Sequence, residues 1–220
     1  MGAQAPGPAG PGSPPPPRTR GRPRDQDSAE TRARIVKAAV GLFARHGYES
    51  TTNRVIAEAA GVTSSAIYHY FPSKAELYAA VYEAVCDRVF SAFEKAVVDH
   101  ATLVDQYAAV LDAGAALNVA DPTSAAFVVG VAGDAQRHPE LEVLLRPMRR
   151  RNTEFFRRLV AAAATRGELA DGVDRRAVED LLNAVVSGLA RLSAVTGDAR
   201  RNAAAVDALQ RFFAGTLLTT

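Results

Sequence analysis

Two clusters in this sequence carry side chains suited to a phosphate backbone and to base edges. The first is Arg18-Thr19-Arg20-Gly21-Arg22-Pro23-Arg24, with four arginines in seven positions. Its core, Arg20-Gly21-Arg22-Pro23, has the form of an AT-hook, an extended segment that lies in a narrow A·T-rich minor groove. Guanidinium groups are drawn there by enhanced negative potential, and Gly and Pro keep the backbone slim. A solvated basic tail that adds non-specific affinity is the plainer reading of the same residues, and Arg24 extends either one. The second cluster is the run Thr51-Thr52-Asn53-Arg54-Val55-Ile56-Ala57-Glu58-Ala59-Ala60-Gly61-Val62, which has the shape of a helix-turn-helix. Ala57 lets two short helices cross closely, Gly61 supplies a positive φ for the turn, and Val62 and Ile67 pin the second helix onto the first. In such motifs the second helix enters the major groove with its N-terminal end foremost.

The side-chain types at these positions suit such contacts. Thr52 caps the first motif helix and can turn its hydroxyl to a phosphate. Arg54, on the first exposed turn, can reach a guanine bidentately or a phosphate. Thr63 caps the following helix, which places Ser64, Ser65 and Ala66 at its front. Serine hydroxyls suit bases or phosphates, and the alanine methyl suits a thymine methyl. Tyr68 and His69 continue the exposed face, with Tyr68 placed to donate to a phosphate. Lys74, on the first turn of the next helix, is expected to clamp a phosphate.

The elements behind these residues are helical throughout. The chain has 220 residues, 48% hydrophobic and 23% charged, enough to bury a core without disulfides. Residues 1–17 hold seven of the twelve prolines and no apolar period, so a disordered or polyproline-like tail is expected. Ile35, Ala38, Ala39, Leu42 and Phe43 then follow the spacing of one helix face, and Gly47 supplies a stop, giving a first helix over about 28–46. Ser73-Lys74-Ala75-Glu76 is a capping box opening a long fourth helix. Asp121-Pro122 and His138-Pro139 start a sixth and a seventh, Asp174 caps an eighth that Gly197 ends, and a ninth follows. No segment alternates with period two, so no sheet is expected.

Charge divides along the chain. Residues 1–74 carry 10 Lys/Arg against 5 Asp/Glu, whereas 75–220 carry 16 against 19. A basic first third on an acidic remainder suits a nucleic-acid-binding head on a body with another task. The single cysteine, Cys86, permits no intrachain disulfide and reads as a small core residue. His46, His69, His100 and His138 follow no metal-ligand spacing, and no P-loop, HExxH, GxSxG or GxGxxG is present. No enzyme activity, cofactor or metal site is expected. With no signal-like h-region and no membrane-length apolar run, a soluble cytoplasmic protein is expected.

The stretch Thr51–Thr63, together with Ile67-Tyr68-His69-Tyr70-Phe71-Pro72-Ser73-Lys74-Ala75-Glu76-Leu77, resembles the DNA-binding domain of the TetR family of transcriptional regulators. With helix 1 the resemblance covers about 50 residues. Gly167-Glu168-Leu169 and Val185-Val186-Ser187-Gly188-Leu189 extend it more weakly. Ser65 departs from the glycine or proline that many members carry there. The resemblance implies an all-α protein of about nine helices: a tail and basic arm over 1–24, a helix-turn-helix domain over 25–73, and a helical ligand-binding and dimerisation domain over 74–220. It implies a homodimer on double-stranded DNA with a palindromic operator, released by a small-molecule effector, with no membrane partner. A transcriptional activator, a protein-regulated DNA-binding factor, or a helical interaction module or enzyme without DNA function are the alternatives. It places an effector cavity among helices 4–7, where Tyr78, Tyr82, Phe90, Tyr107, Phe127, Phe155 and Leu159 are candidate lining residues. Their apolar character favours a lipophilic effector. It also places the dimer interface on the last two helices, where Leu182, Val185, Val186, Leu189, Leu209 and Phe213 are the candidates.

Overall fold

A computed structural model describes Gly2 and residues 24–218, with side chains from Asp27 onward. Among the described residues there are nine helices and no strand: α1 (Arg24–Ser50), α2 (Asn53–Ala60), α3 (Ser64–Tyr70), α4 (Lys74–Val97), α5 (Leu103–Ala120), α6 (Pro122–Arg137), α7 (Pro139–Thr165), α8 (Arg175–Thr196) and α9 (Ala199–Phe213). The helix starts are chemically specified. Thr52, Thr63, Ser73, Thr102, Asp121, Asp174 and Asp198 each accept a backbone N–H of the first turn that follows. α1 begins four residues before the expected start and is broken at Gly47, where φ is 73°. Arg20 and Arg22 lie outside the described residues; Arg24 opens α1, and its side chain is not described.

The head is α1–α3. Ile35, Ala39, Ile56 and Ile67 are fully or almost fully buried there, and full burial of one such branched side chain stabilises by about 1.5–3 kcal/mol. Phe71 is also buried, with the Arg32 guanidinium 5.1 Å from its ring centre. The body is α4–α9. α4 runs through it, packing on α1 at its start and on α5 and α7 further along, while α6 lies against α1. One continuous apolar core joins head to body through an aromatic cluster. The Tyr78 ring lies 4.8 Å from Phe43, 5.2 Å from Tyr48 and 5.1 Å from Phe127. Among the described residues no single helix is long and apolar enough to cross a membrane.

Candidate nucleic-acid interface and effector cavity

The exposed face of the head is built by two caps and one turn. Thr52 Oγ1 accepts the Val55 N–H at 3.3 Å, which starts α2. α2 ends where Gly61 takes φ 64° and donates its N–H back to α2 carbonyls, and Val62 donates to Ala57 O at 3.0 Å. Thr63 Oγ1 then accepts the Ala66 N–H at 3.2 Å and shares a 2.9 Å hydrogen bond with Ser65 Oγ. The result leaves Thr52, Arg54, Thr63, Ser64, Ser65, Tyr68 and His69 exposed on α2, α3 and their caps. Tyr68 is 56% exposed, a large aromatic left in solvent on α3. Ala66 is half-buried, because the helix turns its methyl toward the head. Arg54 forms no ion pair among the described residues.

The Lys74 ammonium is engaged within the protein. Its Nζ donates to Tyr48 O at 2.8 Å and Glu49 O at 3.2 Å, and lies 4.3 Å from the Tyr48 ring centre. The ammonium therefore holds the start of α4 onto the end of α1. An ammonium has three N–H donors, so a phosphate contact has only the remaining one.

Beside it stands a junction that the sequence reading missed. Asp134, on α6, is buried, and its Oδ2 accepts both the Tyr48 N–H at 3.2 Å and the Tyr78 hydroxyl at 2.9 Å. Its Oδ1 accepts from Arg137 at 2.7 Å. Burial and this carboxylate together push the Tyr78 hydroxyl pKa up, so it donates as a phenol. His138 packs edge-on against Tyr48, ring centres 4.7 Å apart, and reaches Glu49 at 3.0 Å. One carboxylate thus ties the head, α4 and α6 together. No local pattern marks it, because Asp134 is 86 residues from Tyr48 in sequence.

The body holds a partly open cavity of ≈ 130 Å³ among α4, α5, α6, α8 and α9, with Asn152 of α7 also on its wall. Tyr82 and Phe90 line it, as expected. Tyr78, Tyr107, Phe127, Phe155 and Leu159 do not, and each has another place. Tyr78 and Phe127 form the junction cluster. Tyr107 donates its hydroxyl to Leu182 O at 2.8 Å and meets Phe213 edge-on, tying α5 to α8 and α9. Phe155 stacks behind the wall against Phe90, Phe93 and Phe156. Leu159 is buried in the core on α7. Cys86 lines the cavity too, and burial pushes its thiol pKa up to about 11, which keeps it protonated and unreactive at neutral pH.

The candidate dimer residues all touch this chain's own core. Leu182 is buried, and Val185, Val186, Leu189, Leu209 and Phe213 pack inward on the core, with Val186 and Leu189 on the cavity wall. Helices α8 and α9 carry apolar residues on two faces, so periodicity did not select the outer one. The outer face of α8 is Ala177, Leu181, Ala184, Gly188 and Val195, of which Leu181 is 52% and Val195 74% exposed. Phe212 of α9 is 57% exposed. A Cβ added at Gly188 would meet nothing within 4 Å.

Comparison with known proteins agrees with this arrangement. Residues 35–81 match the family model described as bacterial regulatory proteins, tetR family, and residues 103–218 match that of the BetI-type transcriptional repressor C-terminal domain. The chain belongs to the TetR family. It is a helix-turn-helix transcriptional regulator with a C-terminal domain of the BetI repressor type. The HTH-type transcriptional regulator UidR of Escherichia coli K12 is 24% identical over 192 residues, 87% of this chain and 95% of that protein. Among solved structures, a TetR transcriptional regulator from Chloroflexus aurantiacus superposes with a TM-score of 0.72 at 26% identity, covering 86% of this chain and 96% of that one. FadR from Bacillus subtilis, in complex with stearoyl-CoA, superposes with a TM-score of 0.70 at 19% identity, covering 80% and 96%.

Proposed function

We propose that this TetR-family regulator is a homodimeric repressor that binds a two-fold DNA site and is released when a small molecule occupies the body cavity. The observation that carries this reading is the course of α4. Its first residue, Lys74, holds the Tyr48 and Glu49 carbonyls of the head, and Tyr78, one turn on, holds Asp134. Its next turns place Tyr82, Cys86 and Phe90 on the cavity wall. One helix therefore touches both sites, and a ligand that fits only one tilt of α4 changes where the head stands. The DNA face consists of Thr52, Arg54, Thr63, Ser64, Ser65, Ala66, Tyr68 and His69, with Lys74 supplying one further donor. The basic arm with Arg20, Arg22 and Arg24 adds contact to the flanking minor groove. The outward stripe of α8 with Phe212 pairs with the same face of a second copy, since contiguous apolar surface of this kind needs a cover. The dimer acts in the cytoplasm on chromosomal DNA.

Two recognition helices in successive major grooves stand about 34–36 Å apart, so the operator is a palindrome with half-sites one turn, or a multiple, apart. Footprinting on the DNA upstream of its own gene, with stoichiometry from sedimentation, tests the reading. A symmetric footprint that binds dimers and weakens steeply with salt is expected. A single asymmetric half-site occupied by a monomer, or binding indifferent to sequence, would overturn it.

A further inference from the structure

The chemistry of the cavity wall is selective in a way the expectation of a lipophilic effector did not anticipate. Most of it is apolar, with Phe90, Phe93, Val110 and Leu111 on one side. Its polar groups, however, are dominated by carboxamides: Asn118, Asn152, Asn183 and Asn202 all reach the wall. The two charged residues on the wall, Arg88 and Asp121, neutralise each other. Arg88 donates to Asp121 Oδ2 at 2.7 Å and to the Ser124 hydroxyl, which in turn donates to Asp121 at 2.8 Å. Burial works against the Asp121 carboxylate, yet the Ser124 and Arg88 hydrogen bonds outweigh it and hold its pKa below the usual value. Arg88 therefore meets the wall already paired with an acid, and the cavity offers an anion no unpaired cation. The wall therefore presents no uncompensated charge to a ligand.

Asn202 stands apart among the carboxamides. Asn152 and Asn183 are bonded to each other, Nδ2 to Oδ1 at 3.0 Å. Asn202 lines the cavity, is 1% exposed, and its Oδ1 has no hydrogen-bond partner. A buried carbonyl without a donor is destabilising, and a ligand hydroxyl or N–H in the cavity relieves it. Size narrows the class further. At ≈ 130 Å³ the cavity is close to the roughly 150 Å³ space that accommodates one benzene ring.

We propose that the effector is an uncharged molecule about one ring in size, apolar over most of its surface, with a hydroxyl or amide N–H that Asn202 Oδ1 accepts. This rests on the effector-released reading above.

The test is calorimetric titration of the full-length protein with benzyl alcohol, toluene and benzoate, alone and bound to its promoter DNA. Benzyl alcohol is expected to bind the free protein at least about tenfold more tightly than toluene, with benzoate weaker than both. Asn202→Leu is expected to abolish the preference for the alcohol while keeping toluene binding. Gly114→Phe, which places a ring where an added Cβ would stand 3.7 Å from the Phe93 ring, is expected to block both ligands and serves if the first variant fails to fold. Equal affinity for toluene and benzyl alcohol, tighter binding of benzoate, no binding by any of the three, or an alcohol preference that survives Asn202→Leu would overturn the assignment. The two levels of the reading separate cleanly. If benzoate binds and releases DNA, the ligand class is wrong and effector release stands. If benzyl alcohol binds free and DNA-bound protein equally, the ligand class stands and effector release fails.

Discussion

Replacing Asp134 by alanine should loosen the joint between head and body, and its size can be worked from the contacts. The carboxylate serves three donors: the Tyr48 N–H at 3.2 Å, the Tyr78 hydroxyl at 2.9 Å and Arg137 at 2.7 Å. Arg137 is largely exposed and regains water, so its loss contributes little. The Tyr78 hydroxyl and the Tyr48 N–H lie in the core and have no alternative acceptor. Each orphaned buried donor costs about 1–3 kcal/mol. The alanine variant also removes the desolvation of a buried carboxylate, which offsets part of that loss, so a net destabilisation of about 2–4 kcal/mol is expected. For a chain of this size that lowers Tm by roughly 5–15 °C. Tyr78→Phe removes one donor but leaves the carboxylate two others, at about 1 kcal/mol. Because the two residues touch, the double variant should be less destabilised than the sum by about 1 kcal/mol. Urea unfolding followed by circular dichroism, at one fixed protein concentration so that dimerisation does not shift the midpoint, measures all three. An Asp134→Ala variant within 0.5 kcal/mol of wild type, or strict additivity with Tyr78→Phe, would refute the role given to this junction.

Three further outcomes follow from other contacts. Lys74→Met should destabilise by about 1–2 kcal/mol in thermal unfolding, since two α1 carbonyls and the Tyr48 ring lose their cation, and a variant as stable as wild type would return Lys74 to a purely DNA-facing role. Removing residues 1–23, which takes away Arg18, Arg20 and Arg22, should leave unfolding unchanged and reduce the slope of log affinity against log salt by up to about 3; an unaltered slope would show that the arm contacts no phosphate. Leu181→Glu on the outer face of α8 should yield monomers in sedimentation velocity, whereas Val195→Thr near its end should not; a dimer that survives Leu181→Glu would place the interface elsewhere.

The head was legible in the sequence because its determinants are local. Each cap, and the left-handed glycine, lies within four residues of the backbone group it bonds, so Thr52, Gly61 and Thr63 announce their own geometry. The same holds for the starts of α4, α6 and α8 at Ser73, Asp121 and Asp174. Exposure of Arg54, Ser64, Ser65 and Tyr68 follows from helical phase once Ile56 and Ile67 are taken as the buried side.

The body was less legible for a physical reason. Apolar periodicity says that a helix has a buried face, but it does not say what buries it. In α8, Leu182 and Val186 face this chain while Leu181 and Val195 face outward, and one position of phase separates the two sets. Aromatic residues at core spacing were equally silent about whether they wall a cavity, as Tyr82 does, or fill a junction, as Tyr78 does one turn earlier. The sequence alone determined the helices, their caps and which residues of α2 and α3 stand exposed, because those depend on neighbours along the chain. Only the tertiary structure decided that Lys74 holds α1, that Asp134 joins head to body across 86 residues, and that Asn202 stands unpartnered at a cavity wall, because each depends on groups that only folding brings into contact.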